Sequence, residues 1–163
     1  MSEVECCSGM GRVGRVLAVR LLPGQDVVEG IIKLVKANNI KSGTITAIGS
    51  LRTATVVWPK SMDITKDPKD VAVFHKVEGP VELGFCYGVF GTDEDDEVNI
   101  HIHGLIMDKD GNMRCGNLVP GSAPVLATVD MNIQEMDGME LVPTMDEVFM
   151  HKFLHPKTKE ASR

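Results

Sequence analysis

Val98-Asn99-Ile100-His101-Ile102-His103-Gly104-Leu105-Ile106-Met107-Asp108-Lys109-Asp110-Gly111-Asn112-Met113-Arg114-Cys115-Gly116-Asn117-Leu118 is the stretch on which the fold turns. Two apolar runs flank Asp110-Gly111, and an Asp-Gly pair in that setting is a strong β-hairpin signal. Two registers compete. A two-residue loop, Asp110-Gly111, sets His103 opposite Leu118. A three-residue loop, Lys109-Asp110-Gly111, with Gly111 left-handed in a bulge, sets His103 opposite Asn117, His101 opposite Val119 and Leu105 opposite Cys115. The preferred register is the second. It puts His101, His103, Cys115 and Asn117 on one face, and a slip of one residue would move the last two away.

Outward from this hairpin the chain is rich in strands. Upstream, Arg12–Leu22 reads as a strand closed by Pro23-Gly24. Asp26 is the expected N-cap of a helix, with Glu29 three residues on as in a capping box. Val27, Val28, Ile31, Ile32, Leu34 and Val35 follow helical spacing, and Asn38-Asn39 can end the helix. Strands are expected at Thr44–Ile48 and Ala54–Trp58 around Gly49-Ser50, then at Val71–Val77, Val81–Phe90 and Val98–Asp108. Residues 59–70 read as a polar loop. Met113–Leu118 and Val125–Ile133 complete the sheet, with a short strand near Glu147–Phe153. The expected architecture is α+β: six to eight mostly antiparallel strands and one main helix in a single domain, 12–155. Residues 1–11 read as a mobile tail and 156–163 as a polar, frayed one.

Composition narrows the function classes. The 163 residues are 43% hydrophobic and 25% charged, a globular balance. A net charge of −6 gives no electrostatic footprint for nucleic acid or an anionic membrane. No run approaches the ~20 apolar residues of a membrane helix. The acidic start, Glu3 to Cys7, lacks the apolar core of a signal peptide. Cys6, Cys7, Cys86 and Cys115 show no C-x-x-C spacing, so they read as reduced thiols of an intracellular protein, cytoplasmic or nuclear.

The leading chemical candidate is His101-Ile102-His103. Residues two apart on a strand face the same side, so the imidazoles project together as a pair of metal ligands. Zinc needs a third protein ligand and, for catalysis, an open position. The plainer alternative is two surface or interface histidines. Gly116 and Pro120-Gly121-Ser122 read as turn geometry or as close backbone approach. The acidic run Asp93 to Glu97 lacks the glycine and distal glutamate of a calcium loop and reads as solvated. At 4% aromatic content the chain has few stacking platforms for single-stranded nucleic acid, and its ten methionines read as gap-fillers in the core.

Taken in order, Leu22-Pro23-Gly24, Ala47-Ile48-Gly49-Ser50-Leu51, Glu78-Gly79-Pro80-Val81-Glu82-Leu83, His101-x-His103, Asp110-Gly111 and Gly116-Asn117-Leu118-x-x-Gly121 resemble the PPC domain (plants and prokaryotes conserved), over roughly Gly11 to Asp137. The resemblance implies an antiparallel sheet with one main helix, and a homotrimer. It also implies a zinc-type site in some stand-alone members, built from His-x-His and a third histidine in a Gly-Gly-His-Leu segment. Here Asn117 stands in the third histidine's place and Cys115 in that of the first glycine. An amide oxygen is a poor zinc ligand, so zinc is expected to be weak or absent unless Cys115 supplies a thiolate. Plant relatives bind DNA through an adjoining AT-hook, whose Arg-Gly-Arg core is missing here; Arg12-Val13-Gly14-Arg15 is only an echo of it.

Three readings follow. The first is a trimeric binding or assembly module, with metal candidates His101, His103 and Cys115 and a ligand pocket including Asn117, Gly116 and Glu82. The second is a metal-dependent enzyme on a small polar substrate, using Glu82 or Asp130 as a carboxylate. The third is a DNA-binding, transcription-associated protein by family analogy, though direct DNA binding by this chain alone is not expected.

Overall fold

A computed structural model of the protein describes residues 5–61, 63, 66–147 and 151–159. Eight strands lie among them: β1 (Arg12–Leu21), β2 (Ser42–Pro59), β3 (Ala72–Thr92), β4 (Val98–Met107), β5 (Met113–Leu118), β6 (Val125–Asp137), β7 (Met139–Asp146) and β8 (His151–Thr158). The main helix, α1 (Val27–Ala37), follows β1, and a single turn, α2 (Pro68–Val71), precedes β3. The architecture is the expected α+β one. Six strands form one sheet in the order β1-β6-β2-β3-β4-β5, every pairing antiparallel, and β7 and β8 form a separate ribbon.

The helix starts where the sequence predicts. Asp26 Oδ1 accepts from the Val28 and Glu29 amides at 3.0 Å, satisfying donors that a helix start leaves orphaned. Its other oxygen accepts from Ala123 N at 2.8 Å, tying the helix to the start of β6. Val27, Val28, Ile31 and Val35 are fully buried against the inner face of the sheet, where Ile45, Leu51, Leu83, Phe90, Ile102, Ile106 and Ile133 are equally sealed. At roughly 25 cal/mol per Å² of apolar surface removed from water, this layer dominates the stability of the fold.

Several boundaries differ from the sequence reading. The two strands expected around Gly49-Ser50 are one, as are the two around Gly79-Pro80. At both places the ladder shifts register and continues instead of turning, because a bulge absorbs the irregularity. The expected loop 59–70 contains the first three residues of α2. The short strand near Glu147–Phe153 is instead β8, and residues 148–150 lie outside the described residues. Pro156, Lys157 and Thr158, expected to be frayed, pair with Leu141, Glu140 and Met139. The N-terminal segment is likewise held, since Met10 N donates to Thr158 Oγ1 at 2.9 Å; residues 1–4 lie outside the described ones.

Two contacts position the site. β5 pairs with β4 and also returns to β2, through Val56↔Leu118 and Val57↔Asn117, so β2 to β5 close on themselves. Gly116 permits the closure: a Cβ there would stand 2.8 Å from Val57 O. The β7–β8 ribbon is anchored by Leu141, which is buried and whose amide donates to Ser42 Oγ at 3.0 Å.

Candidate functional site

The hairpin takes the three-residue loop. Gly111 has φ +84°, Gly111 N donates to Asp108 O, and Asp108 N donates to Asn112 O, both at 3.0 Å. The Asp108 carboxylate holds the turn by accepting from the Asp110 and Asn112 amides at 2.9 Å. His103 therefore pairs with Asn117, and Leu105 with Cys115. Ile102, Gly104 and Ile106 point into the core, while His101, His103, Leu105 and Met107 face outward. The expected common face for His101, His103, Cys115 and Asn117 is the one observed.

On that face His101 Nε2 and His103 Nε2 lie 2.9 Å apart, with the rings edge to face. One neutral ring donates to the other. Protonating the acceptor would set two N–H groups against each other and break the bond. His101 accordingly holds its proton less readily than an ordinary histidine: burial is the main cause, followed by the charges of His103 and His151. The same spacing lets one ion touch both nitrogens at the ~2.0–2.1 Å of a zinc–imidazole bond, after a small spreading of the rings. The donor chemistry thus fits a transition metal, but only two donors meet. Among the described residues no three His, Cys, Asp or Glu side chains stand, as placed, to hold one ion.

His101 borders two cavities, and His103 one of them. One, of about 290 Å³, is mainly apolar and is lined by Phe85, Tyr87, Leu105, Cys115, His101 and His103. The other, of about 210 Å³, lies between β4 and the ribbon and is lined by Asn99, His101, Asn117, His151, Lys152 and Phe153 among others. His151, Lys152 and Phe153 were not candidates in the sequence. Their one signal is the alternation His151-x-Phe153-x-His155, which puts all three rings on one side of a strand.

The remaining sequence candidates fall as follows. Asn117 lines the second cavity, and its Oδ1 accepts from Ile102 N at 3.1 Å, so it also caps β4 where β5 crosses to β2. Gly116 is buried beneath the face as a packing residue. Glu82 is exposed but pairs with Met107 and Ser50, further along the sheet, and lines neither cavity. Asp130 lies on β6, beyond β2 and β3, and accepts from Arg20 at 2.7 Å. Of the cysteines, Cys86 is sealed and burial pushes its thiol up to about 12, which makes it inert. Cys7 Sγ lies 3.7 Å from His155 Nδ1 and lines neither cavity.

Around the histidines the outer face is apolar. Phe85, Tyr87, Leu105, Met107 and Met113 each keep well over a third of their surface exposed, and Phe85↔Leu105, Tyr87↔His103 and Met107↔Met113 are direct cross-strand neighbours. No helix among the described residues is long and apolar enough to cross a membrane.

Known proteins give this geometry a setting. A metal-containing protein from Archaeoglobus fulgidus has a solved structure that matches with a TM-score of 0.74 at 25% identity, covering 90% of this chain and 96% of that one. A plant- and prokaryote-conserved (PPC) protein from Pyrococcus horikoshii matches with a TM-score of 0.74 at 18% identity, covering 96% and 99%. A hypothetical protein from Salmonella enterica matches with a TM-score of 0.74 at 21% identity, covering 94% and 99%. No curated protein sequence matches. The Plants and Prokaryotes Conserved (PCC) domain matches residues 8–137, and the chain belongs to that family.

Proposed function

We propose, with membership of the PCC family as the premise, that the chain is a homotrimeric binding module whose His101–His103 pair holds a transition-metal ion or a small polar ligand. The observation that carries the reading is the pair itself: two imidazole nitrogens 2.9 Å apart on an exposed face. The metal-containing relative from Archaeoglobus fulgidus, at 25% identity, supports a metal as the occupant. The contiguous apolar rim of Phe85, Tyr87, Leu105, Met107 and Met113 supports assembly through the same face, since a monomer rarely leaves so much joined apolar surface wet. Cys115 borders the first cavity and remains a candidate thiolate donor.

The enzyme reading has less behind it, because neither cavity is lined by an Asp or Glu that could move a proton. The DNA reading has less again, with a net charge of −6 and an outer face of rings and aliphatics around the histidines. Elemental analysis of untagged protein prepared without chelator, beside His103→Ala, tests the proposal together with light scattering. Near-stoichiometric metal lost in the variant, in a trimer, is the expected result. A metal-free monomer at all concentrations would overturn it.

A further inference from the structure

Of the two cavities that His101 borders, the one between β4 and the ribbon has no Asp or Glu in its wall. Its polar side chains bring hydrogen-bond donors and one full positive charge. Asn117 Oδ1 accepts from Ile102 N at 3.1 Å, so its amide nitrogen is the end left to donate. His101 keeps an N–H at Nδ1 whenever His103 gives the hydrogen to the bond between them. His151 adds a second imidazole from β8, and Lys152 an ammonium. Asn99 is the exception, because its Nδ2 already donates to Glu97 O at 3.2 Å and to Asp93 Oδ2 at 3.4 Å. Ile100, Phe153 and Leu154 make the rest of the wall apolar.

We infer that this cavity is a binding site for a small organic monocarboxylate, with the carboxylate against Lys152, His151, His101 and Asn117 and the carbon body against Phe153 and Leu154. The site goes beyond the metal reading proposed above: it needs no ion, and His103 does not line it. Charge sets the class of ligand. A carboxylate only accepts, through two oxygens, so it satisfies a wall of donors that a cation would leave unpaired. One lysine balances one negative charge, and a phosphate dianion would lack its second cation. Size sets the rest. A volume of about 210 Å³ lies below the ~300 Å³ at which sites for drug-sized ligands begin. That excludes a nucleotide and suits a short aliphatic or single-ring acid.

Asp93 is the acid that opposes an anion here. Its Oδ2 accepts from Lys152 Nζ at 3.3 Å, but it lines the neighbouring cavity and not this one, so Lys152 stands between it and the ligand. Asp93 is itself held by the Asp95 and Glu97 amides, at 3.2 and 2.9 Å. It thereby fixes the ammonium at the rim, and the remaining ammonium hydrogens are left for the ligand. Asp146, opposite His151 on β7, is also absent from the cavity wall. The His151 ring rests edge-on against Phe153 at a centroid distance of 5.4 Å, which joins the polar and apolar parts of the wall. The ribbon that carries both is pinned to the sheet by Leu141.

Equilibrium dialysis of the full-length protein, freed of metal with EDTA, against labelled benzoate tests the site. Saturable, stoichiometric binding is expected. Benzamide, the neutral counterpart, should compete at least ~10-fold more weakly, because it loses the charge-assisted hydrogen bonds. Lys152→Met and His151→Ala should each weaken benzoate by about 10-fold or more, with circular dichroism to check that both are folded. Lys157→Met is the control for diffuse charge, since Lys157 lies on the same ribbon but lines only the neighbouring cavity; it should bind benzoate as wild type does. Absence of saturable binding overturns the inference, as does equal competition by benzamide or stronger competition by inorganic phosphate. An equal loss in Lys157→Met and Lys152→Met overturns it too. Benzoate binding that appears only when zinc is restored also overturns it and leaves the metal reading standing. Binding by the metal-free protein supports the inference even if elemental analysis finds no metal and the metal reading falls.

Discussion

The two faces of β4 differ in almost everything but their backbone. Ile102, Gly104 and Ile106 are sealed under α1 and the neighbouring strands, while His101, His103, Leu105 and Met107 face outward, one residue away in each case. One ladder of hydrogen bonds supports both sets. The inner set makes the sheet a sheet, because removing apolar surface from water is what holds the layers together. The outer set can change its chemistry freely, provided the alternation is kept. Stability and binding are thus separable here by a single step along the chain.

The comparison yields ordered expectations. Ile102→Ala or Ile106→Ala should cost about 2–5 kcal/mol, read as a fall in the urea midpoint, since each leaves a cavity in a fully packed layer. A loss near zero would mean that the inner face is looser than its burial. Asn117→Ala should cost about 1–3 kcal/mol, because it leaves Ile102 N without its acceptor although the side chain lies on the outer side. That residue sharpens the comparison, as it serves both faces. Phe85→Glu with Leu105→Glu should leave the urea midpoint within about 0.5 kcal/mol yet, on the proposed trimer, give a monomer in light scattering.

The smallest expected effect is one of pH. His101 binds its proton less readily in the folded chain than the ordinary value of 6.5, mainly through burial and then through His103 and His151. The unfolded chain therefore protonates first. The stability contributed by neutral His101 is complete above 6.5 and is lost as pH falls through the lowered folded value. Urea midpoints compared between about pH 7 and about pH 5 should fall more for wild type than for His101→Gln, which has nothing to titrate there. Equal slopes would show that the outer face does not sense protons.

How much of this was legible in the sequence varies with the physics of each element. The hairpin register was legible because Asp110-Gly111 admits few turn geometries and Gly111 accepts a positive φ. The cap at Asp26 was legible for a similar local reason. The lengths of β2 and β3 were not: Gly49-Ser50 and Gly79-Pro80 carry turn chemistry, and only the partner strands make them bulges. The ribbon was hidden further, because Pro143 and Pro156 argue against strands and are tolerated only where both neighbours are free of a central sheet. His151 went unnoticed for that reason, since no local pattern reveals that β8 lies over β4. Tyr87 and Phe85 were read as strand residues without a face, because a bulge between Leu83 and Phe85 resets the alternation that would have assigned one.

The return of β5 to β2 has a consequence for how copies of this chain can meet. Closing those strands leaves β1 as the six-stranded sheet's open border. That border is irregular between Val13 and Val16, and its three arginines, Arg12, Arg15 and Arg20, are each locked to an acid on β6. A foreign strand seeking to extend the ladder meets a kink and a row of fixed charges, devices that guard natural sheets against polymerising edge to edge. The edge is thereby closed to strand addition, and the flat of the sheet is the surface left for any contact between copies.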